Sequence, residues 1–92
     1  MEWKLFATLA ETAGESEVEL DGEGVGTVGD ALDALLARKP ALADQVLTEG
    51  AAVSEGAVRD HLRLLVDGTD PFREGEGLAE PVDADAELAL FP

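Results

Sequence analysis

The fold is decided most clearly by residues 27–40, which read TVGDALDALLARKP. Thr27 is a preferred residue for a helix N-cap, and Asp30 stands three positions later, as in a capping box. Pro40 stops a helix. Between these signals the apolar side chains recur at helical spacing along one face: Val28, Leu32, Leu35 and Leu36. The stretch therefore predicts one main amphipathic helix.

Strand patterns flank this helix on both sides. Before it, residues 2–6 (EWKLF) and 16–20 (SEVEL) alternate in polarity, with a short helical segment between them that ends at Gly14. After it, residues 61–66 (HLRLLV) form an apolar run, the turn signal DGTDP follows, and residues 87–91 (ELALF) alternate again. The predicted order is β-β-α-β-β.

This order predicts an α+β fold in two layers, with one helix packed across a mixed sheet of about four strands. When the first and last strands lie side by side, the arrangement is the β-grasp, or ubiquitin-like, fold. A further helical turn is predicted over residues 40–50, and irregular structure over 51–60 and 72–86. Because no repeat or internal linker occurs, residues 1–92 are predicted to form a single domain.

Charge is the strongest signal in the composition. Twenty-one acidic residues stand against six lysines and arginines, giving a formal net charge of −15. Such a surface repels phosphates, so we exclude nucleic acid and anionic membranes as direct partners. Hydrophobic residues make up 46% of the chain, enough for a core. The scarcity of lysine resembles proteins of haloarchaea, whose molar salt shortens the screening length to about 3 Å.

Neither a long apolar segment nor a charged-then-apolar leader occurs in the sequence. We therefore expect a cytoplasmic protein. No cysteine is present, which removes disulfides, thiolate metal sites and cysteine nucleophiles.

Few side chains suggest catalysis. His61 is the only histidine, and its neighbour Asp60 would point to the opposite face of a strand. The glycines of residues 22–26 lack the lysine of a phosphate-binding loop. The carboxylates near the C-terminus lack the spacing of a calcium loop: Asp67, Asp70, Asp83, Asp85 and Glu87. We therefore predict no catalytic residue, no metal site and no bound cofactor.

Two phenylalanines stand on the outer faces of the first and last strands. Phe6 shares its parity with Lys4, and Phe91 shares its parity with Glu87. If the two strands pair, both rings form one exposed apolar patch, which usually marks an interaction site. The alternative is that either ring simply folds over an edge of the sheet.

Four segments carry a family resemblance: residues 3–14 (WKLFATLAETAG), 27–42 (TVGDALDALLARKPAL), 61–68 (HLRLLVDG) and 82–92 (VDADAELALFP). In this order they resemble the opening strand, the helix, the third strand and the final strand of the ubiquitin-like sulfur carriers related to MoaD and ThiS. With the acidic composition, the chain is most similar to the small archaeal modifier proteins (SAMPs). The resemblance covers nearly the whole chain and implies a β-grasp fold.

The resemblance implies a carrier protein without its own active site. One such carrier would be the non-catalytic subunit of molybdopterin synthase. In the family, an E1-like enzyme uses ATP to adenylate a tail that ends in Gly-Gly. The tail then becomes a thiocarboxylate that donates sulfur in molybdopterin synthesis or tRNA thiolation, and in SAMPs it is also joined to lysines of target proteins. The implied partners are therefore the E1-like enzyme, the large subunit of molybdopterin synthase and target lysines. The positions that match the partner-binding surface are Phe6, Val66, Phe91 and Pro92.

The printed sequence ends at Pro92, and its last glycine is Gly77. We expect the diglycine tail to follow Pro92 in the natural protein. One alternative is a β-grasp interaction module that lacks the diglycine and is never activated. Another is an accessory domain of a larger enzyme.

Overall fold

The computed structural model describes residues 1–47 and 62–92. The predictions for His61 and for residues 51–60 lie outside these ranges. The elements in chain order are β1 (Glu2–Leu5), α1 (Thr8–Ala13), β2 (Glu17–Glu19), α2 (Val28–Arg38), a 3₁₀ turn (Pro40–Leu42), α3 (Ala43–Val46), β3 (Arg63–Val66), α4 (Pro71–Glu74), a second 3₁₀ turn (Gly77–Ala79) and β4 (Glu87–Phe91). None of the helices in these ranges is long and apolar enough to cross a membrane.

The four strands form one mixed sheet in the order β2-β1-β4-β3. Strand β1 pairs parallel with β4, while β1 with β2 and β3 with β4 are antiparallel pairs. The first and last strands are therefore central neighbours, as predicted. Their parallel pairing brings the C-terminal end of the chain next to the end of β1.

Helix α2 packs across one face of the sheet, which we call the inner face. The indole Nε1 of Trp3 on β1 donates a hydrogen bond to the carbonyl of Ala31 on α2, at 3.2 Å. This bond satisfies the one polar atom of the largest core side chain, as buried polar groups require. The core consists of Trp3, Leu5, Leu9, Val18, Leu20, Val28, Ala31, Leu32, Leu35, Leu42, Val46, Leu47, Leu64, Ala86, Leu88 and Leu90.

The predicted start of α2 is confirmed. Thr27 Oγ1 accepts a hydrogen bond from the backbone N–H of Asp30, at 3.2 Å, and Asp30 Oδ2 accepts one from the N–H of Gly26, also at 3.2 Å. These bonds satisfy donors that a helix start leaves without partners. On the predicted stripe, Leu36 is only half-buried, and Ala31 is fully buried instead.

Within residues 1–47 and 62–92, three shorter helices accompany the main helix α2: α1 and α3, which the sequence predicted, and α4, which it did not. The prediction of irregular structure over residues 72–86 was wrong in part, since most of α4 and a 3₁₀ turn lie there. Helix α4 begins with Pro71 at its first position, and the Asp70 carboxylate accepts a hydrogen bond from the N–H of Phe72, at 2.9 Å. A proline after an aspartate N-cap is a typical helix start. The helical turn predicted over residues 40–50 is confirmed as far as residue 47 by the 3₁₀ turn and α3, while residues 48–50 lie outside the described ranges.

The turn after β3 contains Asp67 and Gly68, which both have positive φ, at 49° and 84°. Val66 and Thr69 exchange backbone hydrogen bonds across it, at 2.8 and 2.9 Å. Asp-Gly favours this two-residue turn because both positions need the left-handed region. Asp67 also exchanges hydrogen bonds with Glu87, the first residue of β4, so the turn fixes the ends of both strands.

Candidate partner-binding surface

The outer face of the sheet, opposite α2, is the surface that the sequence analysis singled out. Directly opposed residues on neighbouring strands have side chains on the same face. Leu65 on β3 lies opposite Ala89 on β4, and Arg63 lies opposite Phe91. These four side chains therefore share the outer face, while the leucines between them point into the core.

Phe6 and Phe91 meet on this face. Their ring centroids are 4.3 Å apart, and the ring planes differ by 7°, so the rings are stacked. The parallel pairing of β1 and β4 causes this contact, because Leu5 lies opposite Leu90 and a phenylalanine follows each of these leucines. Phe6 remains 40% exposed. The predicted juxtaposition of the two rings is confirmed.

A tight turn fixes the backbone of Phe6. Its carbonyl accepts a hydrogen bond from the N–H of Leu9, at 3.1 Å, and Ala7 between them has φ 52°. Positive φ is uncommon for a residue with a Cβ and costs conformational energy. Phe6 directly follows the last residue of β1, and the turn leads into α1, so the ring is held at the rim of the sheet.

We call Phe6, Leu65, Ala89 and Phe91 the outer apolar patch. Leu65, Ala89 and Phe91 are each half-buried, so the patch presents apolar surface without being a core. Two of its members, Leu65 and Ala89, were not among the residues predicted from the sequence. The sequence carries a signal only for Ala89, which alternates with Leu88 and Leu90.

Val66, predicted from the family resemblance to belong to this surface, lies on the inner face. It is opposite Leu88, whose side chain is fully buried, and it packs against the core while remaining half-buried. The reason is the antiparallel register of β3 and β4, which pairs the inner-face residues of each strand. Pro92 is exposed and directly follows Phe91, so the structure brings three of the four predicted residues together. Their role in binding remains a prediction.

Charged residues surround the outer apolar patch. Lys4 Nζ lies 2.9 Å from Glu87 Oε1, and the hydrogen bond and charge of Glu87 raise the pKa of the Lys4 ammonium group above its ordinary value. Towards β2 the outer face is acidic, with Glu17 and Glu19 exposed. On its β2 side the patch is thus bordered by an acidic surface.

Over residues 1–47 and 62–92, no group of three or more histidine, aspartate or glutamate residues is placed to hold a metal ion. The Asp67 and Asp70 carboxylates each accept a backbone hydrogen bond, from Glu87 and Phe72 respectively. Their positions are therefore explained by the turn and the helix cap.

Comparison with known proteins identifies the family of this chain. The model of the ThiS family matches residues 3–92. The chain belongs to the ThiS family. This match includes all of the four strands except Glu2 of β1, together with helix α2 and the outer apolar patch.

Relatives of this ThiS-family chain agree in sequence and in structure. It is 47% identical to Small archaeal modifier protein 1 of Haloferax volcanii, over 100% of this chain and 94% of that protein. The crystal structure of that protein matches with a TM-score of 0.81, over 99% of this chain and 91% of the other. The solution structure of small archaeal modifier protein 1 from Methanosarcina acetivorans is 30% identical, with a TM-score of 0.81 over 99% and 89%.

A third similar structure is a putative molybdopterin converting factor, subunit 1, from Pyrococcus furiosus. It is 25% identical, with a TM-score of 0.66, over 99% of this chain and 93% of that one. These matches confirm the predicted β-grasp fold and the resemblance to ubiquitin-like modifiers and sulfur carriers. The chain is a ubiquitin-like protein of the carrier and modifier class, and its close relatives are not enzymes.

Proposed function

We propose that this ThiS-family chain is a carrier whose C-terminal carboxylate is activated by an E1-like enzyme that docks on the outer apolar patch. The partner uses ATP, so the chain needs no cofactor of its own. The activated end then serves sulfur transfer or protein conjugation. We also propose that the protein acts in the cytoplasm.

The observation that carries this proposal is the stacked pair of Phe6 and Phe91 at the end of β4. Pro92 directly follows the pair and is exposed. A partner seated on the patch would therefore be next to whatever residues follow Pro92. For a protein that offers its carboxyl end to an enzyme, this arrangement puts the recognition surface next to the reacting group.

The chemistry takes place on a diglycine end, which we propose follows Pro92 in the natural protein. Glycine suits such an end because it has no side chain to obstruct a narrow channel. A carboxylate oxygen attacks the α-phosphorus of ATP and expels pyrophosphate, giving an acyl adenylate. Hydrosulfide then displaces AMP with loss of a proton and leaves a thiocarboxylate. Alternatively, a lysine amine displaces AMP with loss of a proton and forms an isopeptide bond.

The names of the relatives support two destinations for the activated end. The Haloferax volcanii relative is named a modifier protein, which supports conjugation to lysines of target proteins. The Pyrococcus furiosus structure is named a subunit of a molybdopterin converting factor, which supports docking on the large subunit of molybdopterin synthase. Transfer of sulfur to tRNA is a third destination, in which this acidic chain would contact enzymes rather than the tRNA.

The test is ATP–pyrophosphate exchange by the E1-like enzyme of the same organism, with the chain purified with its natural C-terminus. We expect exchange that depends on this chain and that disappears when the C-terminal residue is removed. The matched control is a variant with an unchanged end and Glu23→Gln in an exposed loop. Lack of exchange with the natural chain would leave the proposal without its first step, and the chain would then be an interaction module that is never activated.

A further inference from the structure

The distribution of unpaired positive charge points to the kind of partner that fits this surface. Five of the six lysines and arginines lie in the part of the chain that the structure describes. Three of these five are engaged within the protein: Lys4 with Glu87 at 2.9 Å, Lys39 with Glu15 at 2.7 Å, and Arg38 with the carbonyl of Glu19 at 3.3 Å. Arg63 and Arg73 make no ion pair and no side-chain hydrogen bond to any residue in these ranges.

The two free arginines line the same shallow cavity. The cavity has a volume of about 360 Å³ and lies between β3 and α4. Leu65, a member of the outer apolar patch, lines it as well. Arg63 is also directly opposite Phe91 in the sheet. The pair of guanidinium groups therefore extends the outer apolar patch at the β3 edge.

The two acidic residues that line this cavity, Asp70 and Glu74, form no ion pair with the arginines. The carboxylate of Asp70 accepts the backbone N–H of Phe72 and caps helix α4. Glu74 is exposed, and neither ion pair between described residues includes it. A guanidinium group forms paired hydrogen bonds with a carboxylate, so both arginines retain the donors for such contacts.

We propose that Arg63 and Arg73 bind the carboxylates of an acidic segment of the adenylating partner. An apolar side chain of that segment covers the outer apolar patch. This inference rests on the proposed function, because it names the chemistry of the same partner. Charge complementarity favours an acidic partner segment. Arg63 and Arg73 are the two unengaged cations in the described part of a protein whose net charge is −15. The remaining acidic face would repel the same segment and so orients it.

The first test measures the dependence of ATP–pyrophosphate exchange on carrier concentration for R63Q, R73Q and the double variant. R38Q is the matched control, because it removes the same charge near β2, at the opposite edge of the sheet. We expect KM for the carrier to rise about tenfold in the double variant, the loss typical of a hydrogen bond to a charged group. The value of kcat should not change, since neither arginine touches the reacting carboxylate.

Failure of this inference can be told apart from failure of the proposed function. If the natural chain supports exchange but the double variant has the same KM as R38Q, the inference is overturned and the proposed function stands. If the natural chain supports no exchange, calorimetric binding to the same enzyme still tests the arginines. Weaker binding of the double variant than of R38Q would support them, and equal binding would overturn their role.

A second measurement identifies the chemistry of the bound segment. Phe72 is 48% exposed beside Arg73, so a photo-crosslinking phenylalanine analogue at position 72 keeps both arginines in place. We expect the crosslinked peptide of the E1-like enzyme to contain aspartate or glutamate next to an apolar residue. A crosslinked peptide without acidic residues would overturn the proposal.

Discussion

A shift of one residue decides whether a side chain of this sheet faces a partner or the core. Leu90 is fully buried, while Phe91 is half-buried on the outer face. The same alternation separates Val66, which packs on the core, from Leu65, which belongs to the outer apolar patch. The proposed binding surface therefore depends on register more than on hydrophobicity, since both faces carry large apolar side chains at this end.

Replacing Phe91 by alanine tests this distinction. We expect Phe91→Ala to weaken binding to the E1-like enzyme while reducing the free energy of unfolding by about 1–2 kcal/mol, because the ring is only half-buried and its stacking adds to the value of the area it buries. Titration calorimetry and thermal melting at molar salt measure the two quantities.

Leu90→Ala is the matched control for Phe91→Ala. It removes a fully buried side chain from the neighbouring position, so it should cost about 2–5 kcal/mol of stability. If Phe91→Ala destabilised the protein as much as Leu90→Ala, the ring would belong to the core and the proposed surface would be wrong.

At the scale of elements, the sequence predicts best where the signal is local. The capping residues and apolar stripe of α2, and the alternation of β1 and β4, depend on neighbouring residues alone. The face of β3 could not be read, because the leucines at 62, 64 and 65 occupy both parities. Only its pairing with β4 settles which of them point outward. The short helix α4 was not predicted, because the glycines at 75 and 77 indicate irregular structure more strongly than its first residue, a proline, indicates a helix start.

The loop before α2 contacts the segment before β4 closely. A Cβ added to Gly22 would lie 2.3 Å from the carbonyl oxygen of Ala84, so a side chain there displaces backbone. We expect Gly22→Ala to lower the free energy of unfolding by about 1–3 kcal/mol through this overlap. Chemical denaturation measures the loss.

Gly26→Ala provides the control for this contact in the same loop. Its added Cβ would meet only Asp30 Oδ2, at 3.7 Å, which is an ordinary contact. The variant should therefore keep its stability to within about 0.5 kcal/mol. Equal effects of the two substitutions would show that loop flexibility, rather than the close approach to Ala84, sets the cost.

An ion pair connects the segment after α1 with the end of α2. The hydrogen bond and charge of Lys39 lower the pKa of the Glu15 carboxyl group below its ordinary value of 4.5. A carboxyl group with a lowered pKa stabilises the fold above its unfolded-state pKa, and this contribution is lost as the pH falls through the folded-state value. The pair should therefore stabilise the protein at neutral pH and lose this effect below about pH 4.5.

A double-mutant cycle measures this coupling without the general repulsion among the acids. Its members are the unchanged chain, Glu15→Gln, Lys39→Met and the double variant. We expect a stabilising coupling at pH 7 that declines as the pH is lowered towards 3. A coupling that does not change with pH over this range would contradict the assignment.

The whole molecule is dominated by its charge of −15. On the outer face three glutamates lie in a row across the sheet, since Glu2 is directly opposite both Glu19 and Glu87. Like charges placed directly opposite each other destabilise a sheet. Salt weakens this repulsion, because the screening length falls from about 10 Å at 0.1 M to about 3 Å at 1 M.

We therefore expect the melting temperature to rise between about 0.1 M and about 1 M KCl. Glu2→Gln should raise the melting temperature at low salt and reduce its dependence on salt. Glu23→Gln, in an exposed loop, is the control of equal charge and should do less. A melting temperature that does not change with salt would show that repulsion is not what limits stability.

As a whole, the molecule presents a β-grasp domain with the outer apolar patch at the end of β4. We propose that the chemical step of its function takes place on the residues that follow Pro92. The patch and the carboxyl end would then act on the same partner, which is the central claim of this account.

The most direct test of this claim is the intact mass of the protein with its natural C-terminus after incubation with the E1-like enzyme, ATP and sulfide. We predict a mass increase equal to the replacement of one oxygen by sulfur, located by fragmentation at the C-terminal glycine and lost when ATP is omitted. The same reaction with Phe91→Ala should convert less protein. An unchanged mass in the complete reaction, with the enzyme active on another carrier, would contradict the account.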